Sequence, residues 1–470
     1  MNITPKGKQE EVMALPAKGH IVVLGTAGSG KTTIALLRAY HLANMPGNNK
    51  VLIITFNGAL VKYMQNMNDS CSAKLVVETY HKFARGYLKS MGKMPKYTCI
   101  LNQGRKEYYI QKAINLVKNL HPNESTLKRP LVFFTEEITF IEKFGFVSLD
   151  LYNEAERIGR ASANIKRENR KWVFEVYTKY LELREEDSYK YDWDDIAYYT
   201  YREFCNDTDK RRYTHIIVDE GQDFSPMMIR SLIKAIPSNG SFTFFGDVAQ
   251  QIYGSRMSWR DSGINVEKIW RFDKNYRNPY TVIKFAKDIT NSKYWHRDND
   301  MVDASGAVAE GVKPILIEFS DKLSEKDWIA NRAISESKQS SVAIVCRNRS
   351  DIDEFLHILK EKGCKATEID KNTPGYNYVK TVYLTTFHTA KGLEFDNVFI
   401  PFLTEDKLPD PNVVARSISK EETYANEIKL LYVAVTRSKY GLYMSYSGKL
   451  SPLFPKVSDN YDYYREEDLL

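Results

Sequence analysis

Four apolar residues, Ile21 to Leu24, run directly into Gly25-Thr26-Ala27-Gly28-Ser29-Gly30-Lys31-Thr32, and a helical pattern through Ile34, Leu36, Leu37 and Leu42 follows at once. A strand that ends in a glycine loop and restarts as a helix leaves the chain few folds to choose from. The glycines let successive backbone N–H groups turn inward on phosphate oxygens, and the helix N-terminus adds a favourable dipole. In that setting Lys31 reaches the β- and γ-phosphates and the Thr32 hydroxyl ligates Mg²⁺. The stretch predicts a site for a nucleoside triphosphate.

Around this loop the first part of the chain alternates strands and helices. Strands are expected at Ile21–Leu24, Val51–Thr55, Leu75–Glu78, His215–Asp219 and Ser241–Gly246. Such alternation argues for a parallel sheet covered on both faces. From about Gly86 to Asp209 charged, helix-periodic sequence takes over, which reads as an insertion in the first α/β unit. A second alternating block follows, with strands expected at Pro314–Glu318, Ser341–Cys346, Val379–Leu384, Val398–Phe402 and Gly441–Tyr446. It has no phosphate loop of its own, so nucleotide is expected between two lobes, with the second supplying groups across the cleft. At 470 residues the chain exceeds what one core organises, in keeping with this division.

Five scattered cysteines without a C-x-x-C pair argue against a zinc or iron–sulfur site and fit a reducing cytosol. No apolar stretch is long enough for a membrane span and the N-terminus lacks a signal-peptide core, so a cytoplasmic location without a membrane is expected. A net charge of +7 permits a polyanionic partner, and 31 tyrosines offer rings that could stack on unpaired bases.

Further residues carry chemistry. Ile216-Ile217-Val218-Asp219-Glu220 sets two acids at the end of an apolar strand. A P-loop ATPase needs one carboxylate to hold Mg²⁺, here Asp219, and one to orient and deprotonate water, here Glu220. Gly246-Asp247 followed by Gln250 suits sensing of the γ-phosphate. Arg277 and Arg437 could place fixed positive charge on the transferring phosphoryl group.

Taken in order, these segments resemble the superfamily 1 helicases of the UvrD/Rep/PcrA type over almost the whole chain. Thr4 to Gln9 is similar to a Gln-containing adenine-reading motif. The P-loop, with Thr33 and then Arg38 trailing it, precedes Ile54-Thr55-Phe56-Asn57 and Thr79-Tyr80-His81-Lys82-Phe83. Val218 to Asp223 matches V-D-E-x-Q-D, and Gly246 to Gly254 is close to G-D-x-x-Q-S-I-Y-G. Asn275-Tyr276-Arg277 matches N-Y-R, and Thr386 to Phe395 reads T-x-H-x-A-K-G-L-E-F. Leu431 to Arg437 matches the last motif.

The resemblance implies roles. Residues 25–33 and Arg38 would hold nucleotide, Gln9 and Tyr276 would contact adenine, and Glu394 the sugar. Gln250, Arg277 and Arg437 would engage the γ-phosphate. Phe56, Asn57, His81, Tyr253, Arg256 and His388 would line a single-stranded DNA track. Tyr253-Gly254-Ser255-Arg256 lacks the tryptophan of the usual Y-G-W-R, for which Trp259 could substitute.

The implied fold class is α/β, with two RecA-like P-loop lobes of parallel sheet flanked by helices. Lobe 1A is expected at residues 1–85 and 210–264, a helical insertion 1B at 86–209, lobe 2A at 265–458 and a mobile acidic tail at 459–470. The helical 2B insertion usual between N-Y-R and T-x-H would be absent or vestigial. The expected function is an ATP- and Mg²⁺-dependent motor that translocates on single-stranded or partly duplex DNA and unwinds it, 3′ to 5′. The alternative is a DNA-stimulated ATPase subunit that senses or delivers DNA, with a protein partner in place of 2B. A kinase sharing only the P-loop would leave Thr386–Phe395 without a reason.

Overall fold

Apolar side chains on both faces of a short strand demand cover on both sides, and the strands here meet that demand in two all-parallel sheets. The computed structural model describes the chain except residues 1–3, 57, 67–73, 95–98, 158–163, 208–212, 251–257, 299, 308, 371–372, 374–378, 457 and 470. The first sheet contains β1 (Gly19–Gly25), β2 (Val51–Thr55), β3 (Leu75–Thr79), β4 (His215–Val218), β5 (Ser241–Gly246) and β6 (Ile269–Phe272). Their spatial order is β3-β2-β4-β5-β1-β6. Every residue of β2, β4 and β5 is buried. The carboxyl ends of β1, β4 and β5 therefore lie side by side, where the loops that follow them can share one ligand.

The second sheet holds β7 (Ile315–Phe319), β8 (Val342–Cys346), β9 (Thr367–Glu368), β10 (Val382–Thr386), β11 (Phe395–Ile400), β12 (Ser438–Ser447) and β13 (Asp462–Arg465). Its order is β13-β7-β12-β11-β8-β10-β9. Val282, Phe285, Ile428 and Leu431 cover one face; Ile329, Ile352, Phe355 and Leu359 cover the other.

Between β3 and β4 the described residues are helical. Helices Gln103–Leu120, Leu131–Phe144 and Arg170–Glu186 close on a core that includes Ile110, Phe134, Ile138, Val173 and Tyr180. The insertion is fastened by buried charge. The Lys106 ammonium lies 2.5 Å from Glu142, 3.0 Å from Asp192 and 2.8 Å from Asp194. Arg184 pairs with Asp192 and Asp195 beside it. Lys106 thus fills the centre of the carboxylate group Glu142, Asp192 and Asp194, where a cation would otherwise be needed.

Two expectations need correction. Strand β6 pairs with β1, so the first sheet reaches past residue 264 into the span expected of the second lobe. The tail expected to be mobile is instead ordered from Asp462, with β13 in register from Asp462↔Ile315 to Arg465↔Glu318. Glu466 accepts from the Ser320 N–H at 2.9 Å and hydroxyl at 2.6 Å, the Tyr463 hydroxyl donates to Glu318, and Tyr461 packs on Phe285 and Phe454. Its charge hid these contacts. Smaller shifts place β10, β11 and β12 at Val382–Thr386, Phe395–Ile400 and Ser438–Ser447 rather than at the spans read from sequence.

Candidate active site

The loop after β1 turns through Gly28 (φ 69°) and Gly30 (φ 82°) and starts helix Lys31–Asn44. A Cβ on Gly28 would lie 2.4 Å from Asn275 Oδ1, so the segment Asn275–Arg277 presses directly on the loop. The Lys31 ammonium is buried and donates to the carbonyls of Gly25 (2.9 Å) and Thr26 (2.8 Å), with Asp247 Oδ2 at 3.4 Å. Thr32 donates its hydroxyl to Asp219 Oδ2 at 2.7 Å. Asp219 Oδ1 is buried without a hydrogen-bond partner, and so is the Ser29 hydroxyl oxygen. A hydroxyl and a carboxylate in contact, with an unsatisfied buried oxygen beside them, suit a hard divalent cation.

The adjacent acids are split electrostatically. Burial, and then the neighbouring Glu220 charge, push the Asp219 carboxyl up to about 7. For Glu220 burial acts in the same sense, but Lys391 and Lys31 outweigh it and hold the carboxyl below its usual value. Glu220 is ionised and fit to accept a proton, whereas Asp219 gives up its own most readily to a cation. Glu220 stands at φ 55°, in the left-handed region that a non-glycine residue enters at a cost of about 1–3 kcal/mol. Gln222 Nε2 steadies it at 2.5 Å from Glu220 Oε2. The same Gln222 accepts from Asp247 N–H (2.8 Å), tying the end of β4 to the end of β5.

From Asp247 the connections cross the cleft. Gln250 donates to Asp247 Oδ2 at 2.7 Å and accepts at Oε1 from Arg437 Nη2 at 2.9 Å. Arg437 is 1% exposed, and burial, then the nearby positive Arg277, lower it to about 10, which leaves it charged at neutral pH. Lys391 donates to Asp223 Oδ1 (2.7 Å) and to the Gln250 carbonyl (2.6 Å). Glu394 sits between Arg277 (2.6 Å) and Lys439 (2.9 Å). The phosphate loop therefore faces Lys31, Arg277, Lys391 and Arg437, drawn from both lobes.

A pocket beside the loop is lined by Lys8, Gln9, Ser29, Phe272, Lys274 and Tyr276. Gln9 donates to the Ser29 carbonyl at 3.0 Å, and the Tyr276 N–H donates to the Gly28 carbonyl at 2.8 Å. The Tyr276 ring is 38% exposed, as a platform for a flat ligand must be. Arg38 does not join this pocket, and its expected contact with nucleotide is corrected: its guanidinium is spent on the carbonyls of Val12, Met13, Leu15 and Pro16. Thr33 lies in the first turn of the helix that Lys31 begins.

On the neighbouring surface Phe56 is partly exposed and meets His81 edge-on at 5.7 Å, and His81 meets Trp193 at 5.2 Å. Burial lowers His81, and burial together with Arg347 lowers His388 to about 4, so both rings are neutral near pH 7. Trp259 does not stand free as a substitute platform. Its indole N–H donates to Asp300 at 3.1 Å and its ring packs edge-on against Phe244 at 5.2 Å. Asn57, Tyr253 and Arg256 lie outside the described residues.

Three contributors escaped the sequence reading: Gln222, Asn275 and Lys391. Each lies inside a motif already singled out, so the signal was present. Contacts outside the motif complete them: Asp247 for Gln222, the Gly28 turn for Asn275, and Asp223, 168 positions away, for Lys391.

The family described as UvrD/REP helicase N-terminal domain matches residues 6–277, and the UvrD-like helicase C-terminal domain matches 270–373 and 371–449. A protein of Mycoplasma pneumoniae named "Probable DNA helicase" is 23% identical over 93% of this chain and 82% of its own length. A "Probable DNA helicase II homolog" of Mycoplasma capricolum is 25% identical over 72% of this chain and 48% of its own. The "ATP-dependent DNA helicase PcrA" of Leuconostoc citreum is 24% identical over 69% of this chain and 40% of its own, so the chain spans less than half of these last two. Among the described residues no helix is long and apolar enough to cross a membrane.

Proposed function

The chain belongs to the UvrD/Rep helicase family, and we propose that it is an ATP- and Mg²⁺-dependent motor that moves 3′ to 5′ along single-stranded DNA and opens duplex ahead of it. The observation that carries this reading is the continuous connection Asp247–Gln250–Arg437, which joins the end of β5 to the opposite lobe beside the phosphate loop. Bound ATP replaces carbonyl contacts of Lys31 with phosphate oxygens. Thr32 and Asp219 hold Mg²⁺. Glu220 takes the proton of the attacking water, while Arg277 and Arg437 bear on the charge of the departing phosphoryl group. Departure of the cleaved phosphate with its charge releases the arginines, so the lobes part after hydrolysis and phosphate release and close again on the next ATP. Rings such as Phe56 tolerate any base, which lets the strand step without being read.

A second reading has its own observation. Between Arg277 and Thr386 the described residues build an isolated bridge from Gly306 back to Lys274, helices and β7 to β10, with no separate helical subdomain. The chain would then hydrolyse ATP on DNA but rely on a partner protein to separate strands.

Steady-state ATP hydrolysis with and without single-stranded DNA, with RNA as control, tests the shared part; strand displacement on 3′- and 5′-overhang duplexes separates the readings. DNA stimulation with displacement from the 3′ overhang is expected. Displacement from a 5′ overhang alone would overturn the polarity, and stimulation without displacement would favour the partner-dependent subunit.

A further inference from the structure

Arg38 is fully buried, as are Arg184 and Arg437 among the described residues. No carboxylate pairs with it there. A guanidinium taken out of water without an acid needs a full set of acceptors, and Arg38 finds them on one short segment. Nη1 donates to the carbonyls of Val12 (2.9 Å), Met13 (3.2 Å) and Leu15 (3.1 Å), and Nη2 to that of Pro16 (3.0 Å). Nε donates to Thr243 Oγ1 (3.3 Å), on β5.

Those carbonyls are the last turn and exit of helix Lys8–Met13, where a cation is favoured by the helix dipole. The first turn of that helix carries Gln9, whose amide Nε2 donates to the Ser29 carbonyl in the phosphate loop. Arg38 itself stands on the helix that begins at Lys31. One side chain thus fixes the segment that lines the pocket beside Gln9 and Tyr276 to the helix that begins at Lys31. A Cβ on Gly30 would already lie 2.9 Å from Gln9 Nε2, so a small shift of the helix would misplace the amide.

We propose that Arg38 is a positioning residue for base selection: by gathering the carbonyls of residues 12 to 16 it sets Gln9 against the phosphate loop, and preference for adenine over guanine passes through a side chain that never touches nucleotide. The proposal rests on the reading of the site as an ATPase whose base is met by Gln9. It separates binding of the base, which Arg38 controls, from phosphoryl transfer, which it does not.

Kinetics of wild type, Gln9→Ala, Arg38→Met and Arg38→Lys with ATP and with GTP test it. Arg38→Met is expected to raise KM for ATP about tenfold, as Gln9→Ala does, with kcat and the GTP parameters within about twofold. Arg38→Lys, which reaches fewer carbonyls, should fall between, and Arg38→Met combined with Gln9→Ala should be no less selective than Gln9→Ala alone. Equal losses for both nucleotides, or a fall in kcat, in the Arg38 variants would overturn the proposal. If Arg38→Met does not fold, Arg38→Lys decides by the same measurements; failure of both to fold would overturn it. Unchanged selectivity in Gln9→Ala would mean that the adenine reading itself is wrong, and the proposal falls with it.

Discussion

Arg437 Nη2 donates to Gln250 Oε1 across the cleft at 2.9 Å, and the same guanidinium donates to the carbonyls of Leu393 (3.1 Å) and Val433 (2.9 Å). Its fork is therefore aimed by the second lobe before any ligand arrives. Preorganised charge of this kind acts on the transition state more than on the ground state. Arg437→Lys keeps a cation that cannot serve those acceptors together. We expect a kcat for ATP lower by about 10³-fold with KM altered little, since arginines in this position contribute about 10³–10⁵. A rise in KM at unchanged kcat would assign Arg437 to binding instead.

Glu220 is kept ionised by Lys391 and Lys31 against the effect of its burial. Glu220→Gln preserves shape and the neighbouring Gln222 while removing the proton acceptor. Hydrolysis should fall by about 10²–10⁴-fold, with ATP still bound. Equilibrium binding of a fluorescent ATP analogue alongside single-turnover hydrolysis reads both quantities. Wild-type turnover would show that another group takes the proton.

Lys31 and Glu220 were legible from sequence because their grammar is local: a strand, a glycine loop or a pair of acids, and a helix; the part of Arg437 followed only from the resemblance of its motif. What escaped depends on partners far along the chain. Arg38, trailing the P-loop, was expected to hold nucleotide, and only the fold reveals that it faces the carbonyls of residues 12 to 16. Strand β13 was hidden because Asp462 to Arg465 carries charge and tyrosine rather than an apolar run, yet an edge strand needs to bury little. Strand β6 sits in the first sheet for a reason of register with β1 that no composition shift announces.

The Lys391–Asp223 pair is buried on both sides and spans the lobes at 2.7 Å. Removing one partner leaves the other charge in a dry cleft, a loss of about 3–5 kcal/mol where the cleft stays shut. Lys391→Met should therefore favour the open arrangement of the lobes or lower the melting temperature, and Asp223→Asn in the same chain should restore much of it. Fluorescence transfer between labels on the two lobes, with thermal melting of the single and double variants, checks this. Additive losses would mean that the two residues act separately.

For Glu394, burial raises the carboxyl but Arg277 and then Lys439 prevail and bring it to about 2. A depressed carboxyl stabilises the fold above its unfolded value of 4.5, and that contribution is lost as pH falls from there towards 2. The ceiling is about 3 kcal/mol from the width of the window, and a side chain 23% exposed will deliver less. Urea unfolding of wild type and Glu394→Gln should differ most at pH 7 and converge below about pH 4.5. A gap that widened on acidification would contradict the ion-pair assignment.

His388 and His81 are both held neutral by burial, His388 with help from the positive Arg347. A neutral ring can meet a base or sugar but releases no counterion from a phosphate. The two histidines should then contribute affinity without contributing salt dependence. For His388→Ala, binding to single-stranded DNA is expected to weaken at every salt concentration with the slope of log K against log salt unchanged. Loss of one phosphate contact would instead flatten it by about 0.7. Titration from pH 8 to pH 6 separates the cases again, because a ring lowered to about 4 gains no charge in that range. A steeper salt slope at pH 6 that His388→Ala abolishes would show the ring to be charged on the DNA. The sign for folding is independent of DNA: the unfolded chain binds the proton more readily, so the contribution of His388 to stability declines as pH falls below 6.5.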